Sequence, residues 1–173
     1  YQKGRDMLMG QLKTYFDFAE DDFKYFMASY DAGFVANAMG ALAQGICEKY
    51  LKHIIENYVK PDSYEANNER DSILRTHSLM KLQRYLCVNL PDFTIDRMKL
   101  RMVDGFYFTT RYPGEESIEI TREDIEDCKL AIEECREKAL RYIQSKRVQP
   151  ARASETETEP ELPKRPAHKP KTR

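Results

Sequence analysis

Three histidines occur in the chain, at positions 53, 77 and 168. His77 sits in the stretch RDSILRTHSLMKL (70–82), where six residues, beginning with Asp71, separate it from Arg70. Histidine can remove a hydroxyl proton near neutral pH, and a guanidinium can brace a phosphate as charge develops. Arg70 and His77 together therefore suit general-base catalysis beside a phosphate. On one helix, seven positions turn through about 700° and put both side chains on one face. The leucine register argues against that single helix. Run backward, the spacing of Leu79, Leu82 and Leu86 falls on Arg75 and Ser72 and leaves Ile73 and Leu74 off the face. The phase breaks between 74 and 79, so Thr76 reads as an N-cap and His77 as a first-turn residue. Arg70 is then left in the preceding connection or a short separate turn.

A second set of candidates is Glu48, Lys49 and Lys52 in AQGICEKYLKHII, with Arg75, Arg111 and Tyr112 elsewhere in the chain. Glu48 and Lys52 are four apart, the spacing of a helical ion pair worth some tenths of a kcal/mol when exposed. Arg111 falls at a helix end, where a cation is favourable and its donors could meet a carboxylate such as Glu48 or a phosphate. Tyr112 and Pro113 would fix the helix exit, and two basic residues beside an aromatic would also suit a nucleotide phosphate and base. His53, next to Lys52, reads as a surface or interface residue. The four cysteines (47, 87, 128 and 135) have no C-x-x-C spacing and no histidine at metal spacing, so no metal ligands are assigned and buried thiols are expected. No phosphate-cradling glycine loop and no H-E-x-x-H occurs, and no cofactor is implied.

Helical spacing runs through residues 1–147. Leu8, Leu12, Tyr15, Ala19, Phe23 and Phe26 recur at three and four, giving a first amphipathic helix. Asp31 offers a cap for a second, from Phe34 to Tyr58, whose first half is apolar or small on every side and should be enclosed all round, with Gly40 and Gly45 admitting close neighbours. PDSYEANNE reads as a polar connection after Pro61. Leu79, Leu82, Leu86 and Leu90 define a third helix. A fourth, capped by Asp92 or Thr94, carries Ile95, Met98, Met102 and Phe106 on one face and closes at RYPG. Thr121 starts a fifth, with a stripe of Ile125, Cys128, Ile132, Cys135, Ala139 and Tyr142. The expected fold is an all-α, up-and-down antiparallel bundle of about five helices.

Residues 148–173 are set apart by composition. They hold five of the eight prolines, an acidic block (Glu155, Glu157, Glu159, Glu161) and a basic block from Lys164 to Arg173, and read as a disordered tail that could act as an electrostatic tether. The chain's net charge is -1, and without the tail 22 basic and 25 acidic residues remain. That balance excludes a strong global field for nucleic acid, so such a contact must be local. The longest uncharged stretch, 32–47, is too short and polar to span a bilayer. Reduced cysteines and the absence of a secretion signal predict a cytoplasmic protein.

AQGICEKYLKHII (43–55), THSLMKL (76–82), FYFTTRYPG (106–114) and ITREDIEDCKLAIEECREKAL (120–140), in that order and spacing, resemble the HEPN family, the higher eukaryote and prokaryote nucleotide-binding domain. The resemblance covers about residues 10–145. It implies a helical bundle that usually forms a homodimer, in a prokaryotic protein often encoded beside a minimal nucleotidyltransferase as a toxin–antitoxin pair. It further implies nucleotide or RNA binding, to which Glu48, Lys49, Lys52, Arg75, Arg111 and Tyr112 are assigned. In the family's metal-independent ribonucleases an arginine is followed by a histidine at short spacing, which would make Arg70 and His77 catalytic. Toxin members carry a tyrosine shortly after that histidine, and Ser78-Leu79 stands there in this chain. The leading expectation is a binding and interaction module; a ribonuclease and a structural adaptor are the alternatives.

Overall fold

The computed structural model describes residues 13–148, which form seven helical segments: α1 (Tyr15–Asp31), α2 (Asn37–Tyr58), α3 (Tyr64–Leu74), α4 (Leu79–Asn89), α5 (Arg97–Val103), α6 (Phe106–Thr109) and α7 (Arg122–Val148). No strand occurs among the described residues. The fold is all-α.

Three long helices carry the core. α1 lies antiparallel to α2, with Phe16 against Tyr50 and His53 at one end and Asp22 paired with Lys49 nearer the middle. α7 runs parallel to α2: Cys135 meets Cys47, and Tyr142 packs edge-on to Tyr58. This departs from the alternating arrangement expected. Two sequential long helices can be parallel only if the chain travels back between them, and α3 to α6 make that return. The α7 stripe Ile125, Cys128, Ile132, Cys135, Ala139 and Tyr142 is buried throughout, as its spacing requires. Cys47, Cys128 and Cys135 are buried thiols, and burial pushes Cys47 and Cys128 well up from the ordinary thiol range; Cys87 is exposed.

Several local expectations are corrected. α1 begins at Tyr15 because Thr14 and Asp17 form a reciprocal capping box; Leu8 and Leu12 lie outside the described residues, as does the expected tail beyond Val148. Asp31 ends α1 and does not cap α2, whose N-cap is Ala36. Asn37 works there in another way, donating to the Ile118 carbonyl and accepting from the Ile120 N–H, each at 2.8 Å, which pins the segment before α7 to the start of α2. The start of the expected second helix is not enclosed: Phe34 and Val35 precede α2 and are exposed, and within α2 Ala38 is exposed and Ala41, Leu42 and Gly45 are half-buried. Gly40 does admit a close neighbour, since a Cβ there would lie 2.9 Å from Ile120 Cδ1. EANNE is helical, within an α3 capped by Ser63 that has no buried residue. The fourth helix is two helices with Asp96 as N-cap, broken at Gly105, whose φ of 107° is a left-handed conformation that favours glycine. α5 consequently buries Leu100 and Val103 and leaves Met98 and Met102 exposed.

Candidate functional site

The leucine phase break is real. α3 ends at Leu74, Arg75 caps it, and α4 starts at Leu79. The N-cap of α4 is Ser78 and not Thr76; the Thr76 hydroxyl instead accepts from the Ser78 N–H at 3.3 Å. His77 thus lies in the short linker between two helices. Asp104, from the break between α5 and α6, reaches this linker and accepts from the Leu79 N–H at 2.7 Å and the Ser78 hydroxyl at 3.3 Å. Gln44, 1% exposed on α2, completes the frame: its amide N–H donates to the His77 carbonyl, and its oxygen accepts from the Gly105 and Tyr107 N–H groups at 3.0 and 2.7 Å. One side chain therefore fixes the linker bearing His77 and the helix bearing Tyr107.

Around that frame the side chains converge. Nδ1 of His77 is 3.1 Å from Oε2 of Glu48, and Oε1 of the same carboxylate accepts from Lys52 Nζ at 2.6 Å. Glu48 and Lys52 are buried, so their attraction is screened far less than that of an exposed pair. The His77 imidazole is 42% exposed and stacks on Tyr107 at 4.5 Å with 4° between the rings, while Phe108 meets it edge-on. The Arg111 guanidinium lies 4.7 Å from the centre of the Tyr107 ring and 5.8 Å from that of Tyr112. Arg111 has no carboxylate partner among the described residues.

A groove of about 470 Å³ adjoins this cluster, walled by Ala38, Ala41, Leu42 and Gly45 of α2, with Lys49, Tyr107 and Arg111 at its polar side. Lys49 is tied to Asp22 at 2.8 Å and to the Gly45 carbonyl at 3.3 Å. The structure thus brings Glu48, Lys52 and His77 into one contact chain, and Lys49 and Arg111 to one groove. Arg70 stands apart on α3: Nη2 donates to Asn67 Oδ1 at 3.1 Å and lies 3.6 Å from Asp71, and Nε is buried without a hydrogen-bond partner. No hydrogen bond or ion pair among the described residues joins Arg70 to His77. Arg75, at the end of α3, is exposed. His53 lies against Phe16 with the two rings tilted by 56° and faces Asn57, and burial lowers its pKa from the ordinary histidine value.

A model of the HEPN domain family matches residues 12–142. The chain belongs to the HEPN domain family. No curated protein and no solved structure is significantly similar to it. The matched span contains all seven helices except the last turns of α7, so the site described above lies wholly inside the HEPN domain. Membership supports a nucleotide- or RNA-related role at the level of the family. No helix among the described residues is long and apolar enough to cross a membrane, and no group of three metal-ligating side chains occurs among them.

Gln44, Tyr107 and Asp104 were not singled out from the sequence. Gln44 left a signal, as one of few polar side chains in the uncharged run 32–47. A buried amide in such a run needs partners, and here the partners are backbone groups of two other segments.

Proposed function

We propose that this HEPN domain is a nucleotide- or RNA-binding interaction module whose ligand sets a phosphate on Arg111 and a base against the exposed Tyr112 beside it. The observation that carries the reading is Arg111 itself, an exposed guanidinium without a carboxylate partner among the described residues, held over Tyr107 and Tyr112 at the rim of the groove. Charge-assisted, bidentate hydrogen bonds to phosphate are the strong use of such a group, and an aromatic face accepts a base whatever its sequence. Lys49 adds a second cation at the groove, and the exposed Arg75 at the end of α3 is a further cation for the ligand. Glu48 holds His77, and Lys52 holds Glu48 in turn. Calorimetric titration with ATP, GTP and a short single-stranded RNA tests this: saturable binding to at least one supports it, and no heat with any of them contradicts it.

A second reading is favoured by the Glu48–His77 contact. A carboxylate accepting the Nδ1 proton leaves the Nε2 lone pair as a base. In a metal-independent ribonuclease Nε2 would take the 2′-hydroxyl proton, the 2′-oxygen would attack phosphorus, and the 5′-oxygen would leave with a proton, giving a 2′,3′-cyclic phosphate. Arg70 would brace the phosphate, reaching His77 across a cleft between two copies. RNA incubated with the protein in EDTA should then be cleaved, and His77→Ala should abolish cleavage. The exposed Phe34 and Val35 in the segment leading into α2 support a homodimer. A minimal nucleotidyltransferase partner rests on family membership alone.

A further inference from the structure

We propose that the acidic block of residues 155–161 docks back onto the outer face of α5 in its own chain. The face was expected in the core and is instead open: Met98 is 64% and Met102 44% exposed, and Arg97 and Arg101 lie beside them at the same four-residue spacing. Among the described residues neither arginine has a carboxylate partner, although carboxylates surround α5. Those carboxylates are already engaged. Glu134 accepts from Lys99 Nζ at 2.9 Å and from the Asp96 N–H at 3.1 Å, and Asp92 accepts from Tyr142 and Lys146. What remains is a paired column of cations beside a paired column of thioethers. An occupant that fits it has repeated carboxylates and an apolar residue at one end.

The sequence beyond α7 has that chemistry in SETETEPEL, with Glu155, Glu157, Glu159 and Glu161 followed by Leu162. The geometry also allows it. The Asp96 contact with Glu134 places the start of α5 beside the middle of α7. From Glu134 to Val148 is about 21 Å of helix at 1.5 Å per residue. Seven further residues to Glu155 can span up to about 25 Å, so the first glutamate reaches the level of Arg97 and the others have chain to spare. The route passes a groove of about 250 Å³ lined by Thr94, Lys138, Arg141 and Ser145, where the one carboxylate, Asp92, is held by Lys146 and Tyr142. A tether this short gives an effective concentration of the order of millimolar, enough for weak ion pairs to hold the segment.

The test uses the full chain with the exposed Cys87→Ser, a spin label at Thr158→Cys and ¹³C-methyl methionine. At low salt the label should broaden the Met98 and Met102 methyl signals and spare Met39. Arg97→Glu with Arg101→Glu should remove the broadening, and changing the four glutamates to lysine in that variant should restore it. Raising the salt to 1 M, where the screening length falls to about 3 Å, should also weaken it. The proposal is overturned if these methyls are unaffected by the label, or if broadening persists after charge reversal. It is equally overturned if broadening appears only between labelled and ¹³C-enriched copies mixed together, because the tail would then bind a second chain.

Discussion

Replacing Gln44 should damage the fold and the site together. Its side chain makes three hydrogen bonds, one to the His77 carbonyl and two from the N–H groups of Gly105 and Tyr107, in a position 1% exposed. A typical hydrogen bond contributes about 1 kcal/mol net, but a buried group left without its partner costs about 1–3 kcal/mol. Gln44→Met keeps most of the volume and strands three backbone groups, so the loss should be about 3–5 kcal/mol. For a domain of this size that lowers Tm by roughly 10 °C or more. Gln44→Ala should lose more, because it adds a cavity. Urea unfolding followed by circular dichroism measures both. A loss below about 1 kcal/mol in Gln44→Met, with an unchanged slope, would mean that the His77 linker and α6 are positioned by packing and the bridging role of Gln44 is wrong.

Further outcomes follow from the charged groups. Glu48→Gln leaves the buried Lys52 ammonium facing a neutral amide, and breaking one side of such a pair costs about 3 kcal/mol or more. Adding Lys52→Met should recover most of that in a double-mutant cycle, and additive losses would count against the pair. Acid should destabilise the bundle through Glu20: burial pushes its pKa up, but the Arg136 guanidinium and the Tyr50 hydroxyl outweigh burial and hold it below the usual carboxylate value of 4.5. A depressed folded pKa means that this stability is present above pH 4.5 and is lost as pH falls through the folded value. Glu20→Gln should flatten the acid limb of a stability–pH curve, and an unaltered limb would refute the assignment. His53 acts in the same direction at higher pH, since a pKa lowered by burial makes stability fall as pH drops through and below 6.5. His53→Asn should remove that part of the slope.

The long helices were legible because one period of apolar residues governs them. The α7 stripe reads directly from Ile125 to Tyr142, and the leucines of α4 marked the break between Leu74 and Leu79 that holds His77. Caps were less legible, since Thr76 and Ser78 are both competent and the choice falls to Asp104, which is distant in sequence. α3 was missed because it has no buried residue to set a period, and is carried by Ser63 and a polar helix of its own. α5 misled in the opposite sense: methionines at four-residue spacing suggested a core face, but Gly105 breaks the helix before Phe106 and α5 turns Leu100 and Val103 inward. At the site, Glu48, Lys52 and Arg111 could be named as residue types, whereas the meeting of Glu48 with His77 depends on Gln44 and on tertiary contacts that spacing does not encode.

The central claim is that Arg111 receives the phosphate of a nucleotide or RNA strand. Fluorescence anisotropy with a labelled single-stranded RNA measures this most directly, comparing the native chain with Arg111→Ala. Loss of charge-assisted hydrogen bonds worth about 1.5–3 kcal/mol predicts an affinity lowered roughly 10- to 100-fold, with the exposed side chain leaving the fold intact. Equal affinity for the two proteins, or no binding by the native chain to RNA or to competing ATP and GTP, would contradict the claim.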